Sequence, residues 1–185
     1  LPVFTRLLEH DRRQAWQLTS VLLAALTVLL TGLVVVGEVL CGLIAMFWGD
    51  VPGVTLLMKL TATMLPYVVF ICLAAQVAAT LQSLGHFAAP ALAPTLLNLC
   101  WLFGAWAVAP WFAPDKEAQA QVLAGCVLVA GVFQLGVQLP ILYRLGFRFD
   151  FHWVAGRDAL AEVVRSMGPM VLGLAVTQVN TLLDS

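Results

Sequence analysis

Near its end the chain reads VTQVNTLLDS, in which Thr177, Asn180, Thr181 and Asp184 recur at spacings of three and four. On a helix that spacing lines one face with a stripe of oxygen ligands. Acids inside membrane helices ordinarily face a cavity, an ion or a proton path. The second reading puts Asp184 at the far membrane interface, because the 18 charge-free residues from Ser166 to Leu183 rise about 27 Å. Both readings stay open at this point.

Other polar groups are spaced for contact rather than for reaction. Gln76, Thr80 and Ser83 share a helical face, and so do Gln134 and Gln138. With Gln178, the glutamines and Thr80 are candidates to line a cavity, the alternative being hydrogen bonds from helix to helix. His10, His86 and His152 lie in three different polar segments with no H-x-x-H pairing, and neither a Gly-rich phosphate loop nor a G-x-S-x-G elbow occurs. Cleaving or transferring a polar group needs paired acids, a metal, or a nucleophile with its base. No catalytic residue is therefore expected, and no metal motif is present. Cys41, Cys72, Cys100 and Cys126 stand singly in apolar stretches without C-x-x-C spacing, which suits small hydrophobes at helix contacts.

The elements that must position these residues follow from composition. Of 185 residues, 62% are hydrophobic and 10% charged, far below the roughly 25% charged of soluble domains. Charge-free intervals run from Leu18 to Gly37, Leu60 to Gly85, Phe87 to Pro114, Ala118 to Tyr143 and Ser166 to Leu183. Each is long enough, or nearly so, to cross a hydrocarbon layer that takes roughly 20 residues. Five membrane spans and an all-α, polytopic helical bundle are expected. Glu38, after the first interval, is expected at the outer interface, with VLCGLIAMFW continuing as an interfacial or tilted helix. The net charge of −1 favours neither nucleic acid nor an acidic surface as partner, and leaves membrane lipids. Opening at Leu1 without Met and stopping just after an apolar run, the chain is expected to be a segment of a longer membrane protein.

Basic residues give an orientation, since cytoplasmic loops carry the excess. Arg6, Arg12, Arg13, Arg144, Arg148, Arg157 and Arg165 fall in the odd-numbered polar segments, against Lys59 and Lys116 in the even ones. The loops near 5–13, 84–89 and 144–165 are therefore expected in the cytoplasm. LGHFAAP becomes a tight, membrane-embedded helical hairpin, with Pro90 in the first turn of the next helix and Pro94 bending or delaying it. Pro66, inside the second span, should free a carbonyl and kink the rod. Between Arg157 and Met167, Leu160, Val163, Val164 and Met167 recur at helical spacing, which predicts a short amphipathic helix in the interface.

The segments LPVFTRLLE, MLPYVVFICLAAQVAATLQSLGHFAAPALAPTLLNL, GVFQLGVQLPILYRLGF and MGPMVLGLAVTQVNTLLD, in this order, closely resemble the MurJ/MviN lipid II flippases of the multidrug/oligosaccharidyl-lipid/polysaccharide exporter superfamily. FAAPALAPTLLN, at residues 87–98, is the most specific part, and Pro140 also fits. The resemblance implies about fourteen helices in two pseudo-symmetric lobes around a cavity that opens alternately to each side of the membrane. Residues 1–143 would be most of the first lobe, from the end of the family's second helix through its sixth. Residues 144–165 would be a cytoplasmic loop, and 166–185 the truncated start of the second lobe.

What the resemblance implies for function is lipid II flipping: an undecaprenyl-pyrophosphate carrying a disaccharide-pentapeptide crosses from the inner to the outer leaflet of the bacterial cytoplasmic membrane for cell-wall synthesis. The family's substrate-binding arginines lie on its first, second and eighth helices, none of which is fully present here, so none is carried over. In some members an acid on the seventh helix helps bind sodium, and Asp184 falls at the matching place. No organic cofactor is expected; coupling is to sodium or to the membrane potential. The alternative is another exporter of the superfamily, for a polysaccharide-linked lipid or a drug. A membrane enzyme on polyprenyl substrates has only Asp150, Asp158 and Glu162 to offer, whose spacing matches no metal motif, and a non-transporting scaffold remains as the third class.

Overall fold

A computed structural model gives the fold and describes residues 12–112 and 115–149. Within them lie α1 (Arg12–Trp48), α2 (Val54–Met64), α3 (Tyr67–Ser83), α4 (Ala88–Phe103), a π-helical segment (Gly104–Val108), α5 (Ala109–Phe112) and α6 (Lys116–Arg144). No strand occurs among the described residues. The chain divides into two compact units, Leu23–Phe147, and Leu1–Leu22 with Arg148–Ser185. Of the second unit the described part is chiefly Arg12–Leu22, where the Thr19 and Ser20 hydroxyls donate back to the Ala15 and Trp16 carbonyls at 3.0 and 2.9 Å.

Four helical stretches are long and apolar enough to cross a membrane: Arg13–Trp48, Val54–Ser83, Ala88–Trp111 and Lys116–Arg144. They match the first four expected spans, and the fifth, from Ser166 to Leu183, lies outside the described residues. So does the predicted amphipathic helix. Helix α1 continues through Glu38, as expected of VLCGLIAMFW, and runs for 37 residues, about 55 Å. The glycines at 32, 37 and 42 are the weakest helix formers in this stretch, and the branched apolar residues between them hold the helix wherever water is excluded.

Turns fall where the sequence supplies the backbone they need. Gly53 takes φ 83° at the entry to α2, a left-handed conformation costly for any residue with a Cβ. The hairpin between α3 and α4 closes on Gly85 at φ 78°, with His86 N–H donating to the Leu81 carbonyl at 2.9 Å. This six-to-one bond is a Schellman cap. A second one ends α6, where Gly146 has φ 95° and Phe147 N–H reaches the Leu142 carbonyl. At the other end of α6, the Asp115 carboxylate accepts from Ala118 N–H at 2.7 Å and caps the helix.

Helix α6 is the hub of the Leu23–Phe147 unit, packing against α2, α3, α4, α5 and the π segment. Its buried stripe runs through Ala124, Ala130, Gly131, Gln134, Gln138 and Leu142. Small residues there bring backbones close, as membrane helices require when apolar burial gives no drive to associate. A Cβ on Gly131 would lie 2.8 Å from the Tyr67 ring and 3.0 Å from Phe70 Cβ. On Gly104 it would lie 2.6 Å from Cys126 Sγ. The outward faces are apolar: Val28, Leu29, Leu33 and Val36 on α1, and Trp101, Leu102, Trp106 and Trp111 along α4, the π segment and α5, are all exposed. A water-soluble surface would not carry that much contiguous apolar area.

Candidate functional site

The stripe of Thr177, Asn180, Thr181 and Asp184, with Gln178 beside it, lies outside the described residues. What the described bundle does position is the polar set on its second, third and fourth spans. On α3, Gln76 is half-buried and Thr80 buried. The Thr80 hydroxyl donates to the Gln76 carbonyl at 3.1 Å, and Ser83 does the same to Ala79 at 2.9 Å. Such bonds satisfy a hydroxyl on its own helix, so neither side chain needs a partner across the bundle.

Gln134 and Gln138 are both fully buried on α6. Gln134 Nε2 donates to the Ala93 carbonyl on α4 at 2.7 Å, a direct bond between helices. Tyr67, whose ring lies over Gly131, turns its hydroxyl toward the same amide. Gln134 Oε1 and both polar atoms of Gln138 have no hydrogen-bond partner among the described residues. Pro90 sits in the first turn of α4 and Pro94 inside it, one residue beyond the carbonyl that Gln134 grips. Pro66 lies at the junction of α2 and α3. There Leu65 N–H still reaches Thr61, while Val68 and Val69 bond three residues back, to Leu65 and Pro66. Proline cannot donate to the Ala62 carbonyl, and the three-residue spacing tightens the turn just after it.

A further inter-helix pair links Gln121 on α6 to the Thr63 hydroxyl on α2. Neither residue stands out in the sequence, because each sits among other polar residues near a span end, Gln121 beside Gln119 and Thr63 beside Thr61; only the register of α2 on α6 brings them together. With Tyr67 and Phe70 against Gly131, that bond makes α2 and α3 run parallel to α6. Lys59 and Glu117 then stand at one level, each one turn before its member of the Thr63–Gln121 pair. Arg144 marks the opposite end of α6.

Glu38 is the exception to this segregation of charge. Its neighbour Gly37 abuts Leu65, where an added Cβ would come within 2.9 Å of the Leu65 side chain. Counting turns from Leu65 to Lys59 puts Glu38 roughly 8 Å deeper than the Lys59 level. Val34 and Cys41, one turn to either side, are buried, so Glu38 is on the packed face of α1.

Hollows among the described residues open on the bundle surface. One of about 210 Å³ is bounded by Leu60, Met64, Trp101 and Val127, and one of about 630 Å³ by Phe103, Trp106, Val108 and Trp111. Neither has a charged side chain in its lining, so neither suits a pyrophosphate. Among the described residues no three His, Cys, Asp or Glu side chains gather as a metal site, and Cys41, Cys72, Cys100 and Cys126 are all free thiols.

Four apolar spans among the described residues, the second and third packed against the fourth, with glutamines of the fourth bonded across to both, define a multi-pass α-helical membrane protein. A profile of the lipid II flippase MurJ family matches residues 1–185, and the chain belongs to that family. It is 30% identical over 129 residues to the "Probable lipid II flippase MurJ" of Buchnera aphidicola from Acyrthosiphon pisum, an overlap of 69% of this chain and 24% of that protein. With the protein of the same description from Vibrio cholerae it shares 32% over 131 residues, covering 71% and 24%. With the "Lipid II flippase MurJ" of Burkholderia cenocepacia it shares 29% over 187 residues, covering 95% and 35%. The chain thus spans about a quarter to a third of the length of these relatives.

Proposed function

We propose that this chain is the part of a lipid II flippase that supplies most of the first lobe and the beginning of the second. The observation that carries this reading is the family match along all 185 residues. The bundle is compatible with it in kind, since a flippase needs a polar path between apolar helices and no covalent chemistry. A polar headgroup crosses inside a hydrated cavity while the polyprenyl tail stays in the bilayer, and one lobe rocks against the other to alternate access. Residues 1–143, 144–165 and 166–185 divide as lobe, cytoplasmic loop and start of the second lobe.

In this reading the protein sits in the bacterial cytoplasmic membrane, with the loops near 5–13, 84–89 and 144–165 in the cytoplasm. Lys59, Lys116 and the Gly49–Gly53 turn then face outward. Gln76, Thr80, Gln134, Gln138 and Gln178 are the cavity-side candidates; Gln76 is the most accessible of those described, while Gln134 and Gln138 reach a cavity only when α4 moves. Pro66, Pro90 and Pro94 supply the bends that movement uses. Asp184, with Asn180 and Thr181, is proposed to bind sodium and so to favour one conformation. The Asp184→Asn variant of the full-length protein should lose sodium dependence of transport; transport that still follows sodium sinks that role.

The test of function is complementation with the full-length gene in cells depleted of their own flippase. Externally accessible lipid II should return on expression, with efflux of cationic drugs unchanged. Drug efflux without lipid II movement would favour the other exporters of the superfamily.

A further inference from the structure

Three buried side-chain atoms, Gln134 Oε1 and Gln138 Oε1 and Nε2, find no hydrogen-bond partner among the described residues. Gln138 is 0% and Gln134 1% exposed. Unpaired buried amides are rare because the desolvation they suffer is uncompensated. The surroundings show what would pair them. Helices α4 and α6 run antiparallel, since Ala93 meets Gln134 and Gly104 meets Cys126. One turn further along α6, Gln138 therefore stands level with the Ala89–Pro90 turn of α4, and Ala89 is itself buried.

That turn has an orphan of its own. Pro94 has no N–H, so the Pro90 carbonyl lacks the donor four residues on that would close the helix. Elsewhere nearby, the Tyr67 hydroxyl lies against the Gln134 amide without pairing its Oε1, the buried hydroxyl of Thr80 is bonded to its own helix, and the other buried side chains of α3, Ala74, Val77 and Leu81, are apolar. The unmatched groups are three carbonyl oxygens and one NH2. A ligand that satisfies them has to donate and accept at once. Water does both; a bare cation would meet the N–H groups of Gln138 with like polarity, and an apolar molecule would leave all four unpaired.

We propose that Gln134, Gln138 and the Pro90 carbonyl form a buried site for one or two water molecules, which join the bent turn of α4 to α6. Ordered water is one of the ways a membrane helix re-satisfies the backbone that proline frees. Because water exchanges partners at little cost, α4 can flex at Pro94 without stranding a polar group. The site does not depend on the identity of the transported lipid.

The test uses the full-length protein in lipid nanodiscs. A map at a resolution that shows water should place density within hydrogen-bonding distance of Gln138, and Pro94→Ala, which returns an N–H to the helix, should weaken it. Thermal unfolding supplies a second readout. Gln138→Met should lower Tm when Pro94 is present and raise or leave it in the Pro94→Ala background, so the two substitutions are not additive. A dry site with Gln138→Met raising Tm in both backgrounds overturns the proposal. So does a side chain of the longer protein bonded directly to Gln138, or density at sodium coordination distances whose occupancy follows the sodium concentration.

Discussion

The contact between Gly104, the first residue of the π-helical segment, and Cys126 on α6 is tight, and a single methyl group tests it. In Gly104→Ala the new Cβ would stand 2.6 Å from Cys126 Sγ and 3.0 Å from Cys126 Cβ. Ordinary contacts lie at about 3.5–4.0 Å, so the shortfall is roughly 1 Å at sulfur and half that at carbon. Rotating the thiol relieves the first clash and leaves the second, which sits on the backbone of α6. Overpacking of this kind costs about 1–3 kcal/mol; taking about 2 kcal/mol, the folded-to-unfolded ratio falls roughly 30-fold. Cys126→Gly removes both clashing atoms at about 1 kcal/mol for glycine in a helix. The double variant, which moves the methyl across the seam, should then lose about 1 kcal/mol rather than the sum of about 3. Gly125 has nothing within 4 Å of its added Cβ, so Gly125→Ala is the control and should be neutral or stabilise by up to about 1 kcal/mol. The assay is reversible SDS unfolding of the full-length protein in mixed micelles, followed by tryptophan fluorescence. Additivity of Gly104→Ala and Cys126→Gly to within about 0.5 kcal/mol would show that the two residues do not limit the seam.

Three further outcomes are expected. Asp115→Ala deletes the cap on Ala118 N–H and should destabilise the full-length protein by about 1 kcal/mol in the same unfolding assay, whereas Asp115→Ser should recover most of the loss. Pro66→Ala restores the donor for the Ala62 carbonyl, so Tm should rise while lipid II translocation slows several-fold; unchanged translocation would separate the bend from transport. In a cysteine-free full-length background, cysteine at Lys59 should react with an impermeant thiol reagent in intact cells, and cysteine at Arg144 only after the inner membrane is opened. The reverse pattern would invert the orientation.

The spans were readable because an apolar run needs only length to become a membrane helix, and the limits Val54–Ser83 and Lys116–Arg144 fall within a few residues of the nearest charges. Turns were readable at Gly85, where glycine meets a left-handed backbone. Pairing was not. Gln134 and Gln138 announce a common face, yet nothing in their spacing says that one finds the Ala93 carbonyl while the other finds no partner among the described residues. Thr63 and Gln121 are 58 residues apart, and their bond exists only through the way α2 lies on α6. The depth of Glu38, roughly 8 Å below the Lys59 level, was equally hidden, because one carboxylate costs less than abandoning the backbone bonds of a helix amid apolar residues.

The length of α1 has a consequence for the bilayer itself. A rod of about 55 Å would need to lean by nearly 60° to fit within roughly 30 Å of hydrocarbon, well beyond the 0–40° range over which membrane helices lean. Inclination alone therefore cannot hide it, and its far end carries the exposed apolar side chains of Met46, Phe47 and Trp48. The spans Val54–Ser83 and Lys116–Arg144, at about 45 and 44 Å, also exceed roughly 30 Å, whereas Ala88–Trp111, at about 36 Å, fits with an ordinary lean. The mismatch with the hydrocarbon is thus graded from span to span and greatest at α1.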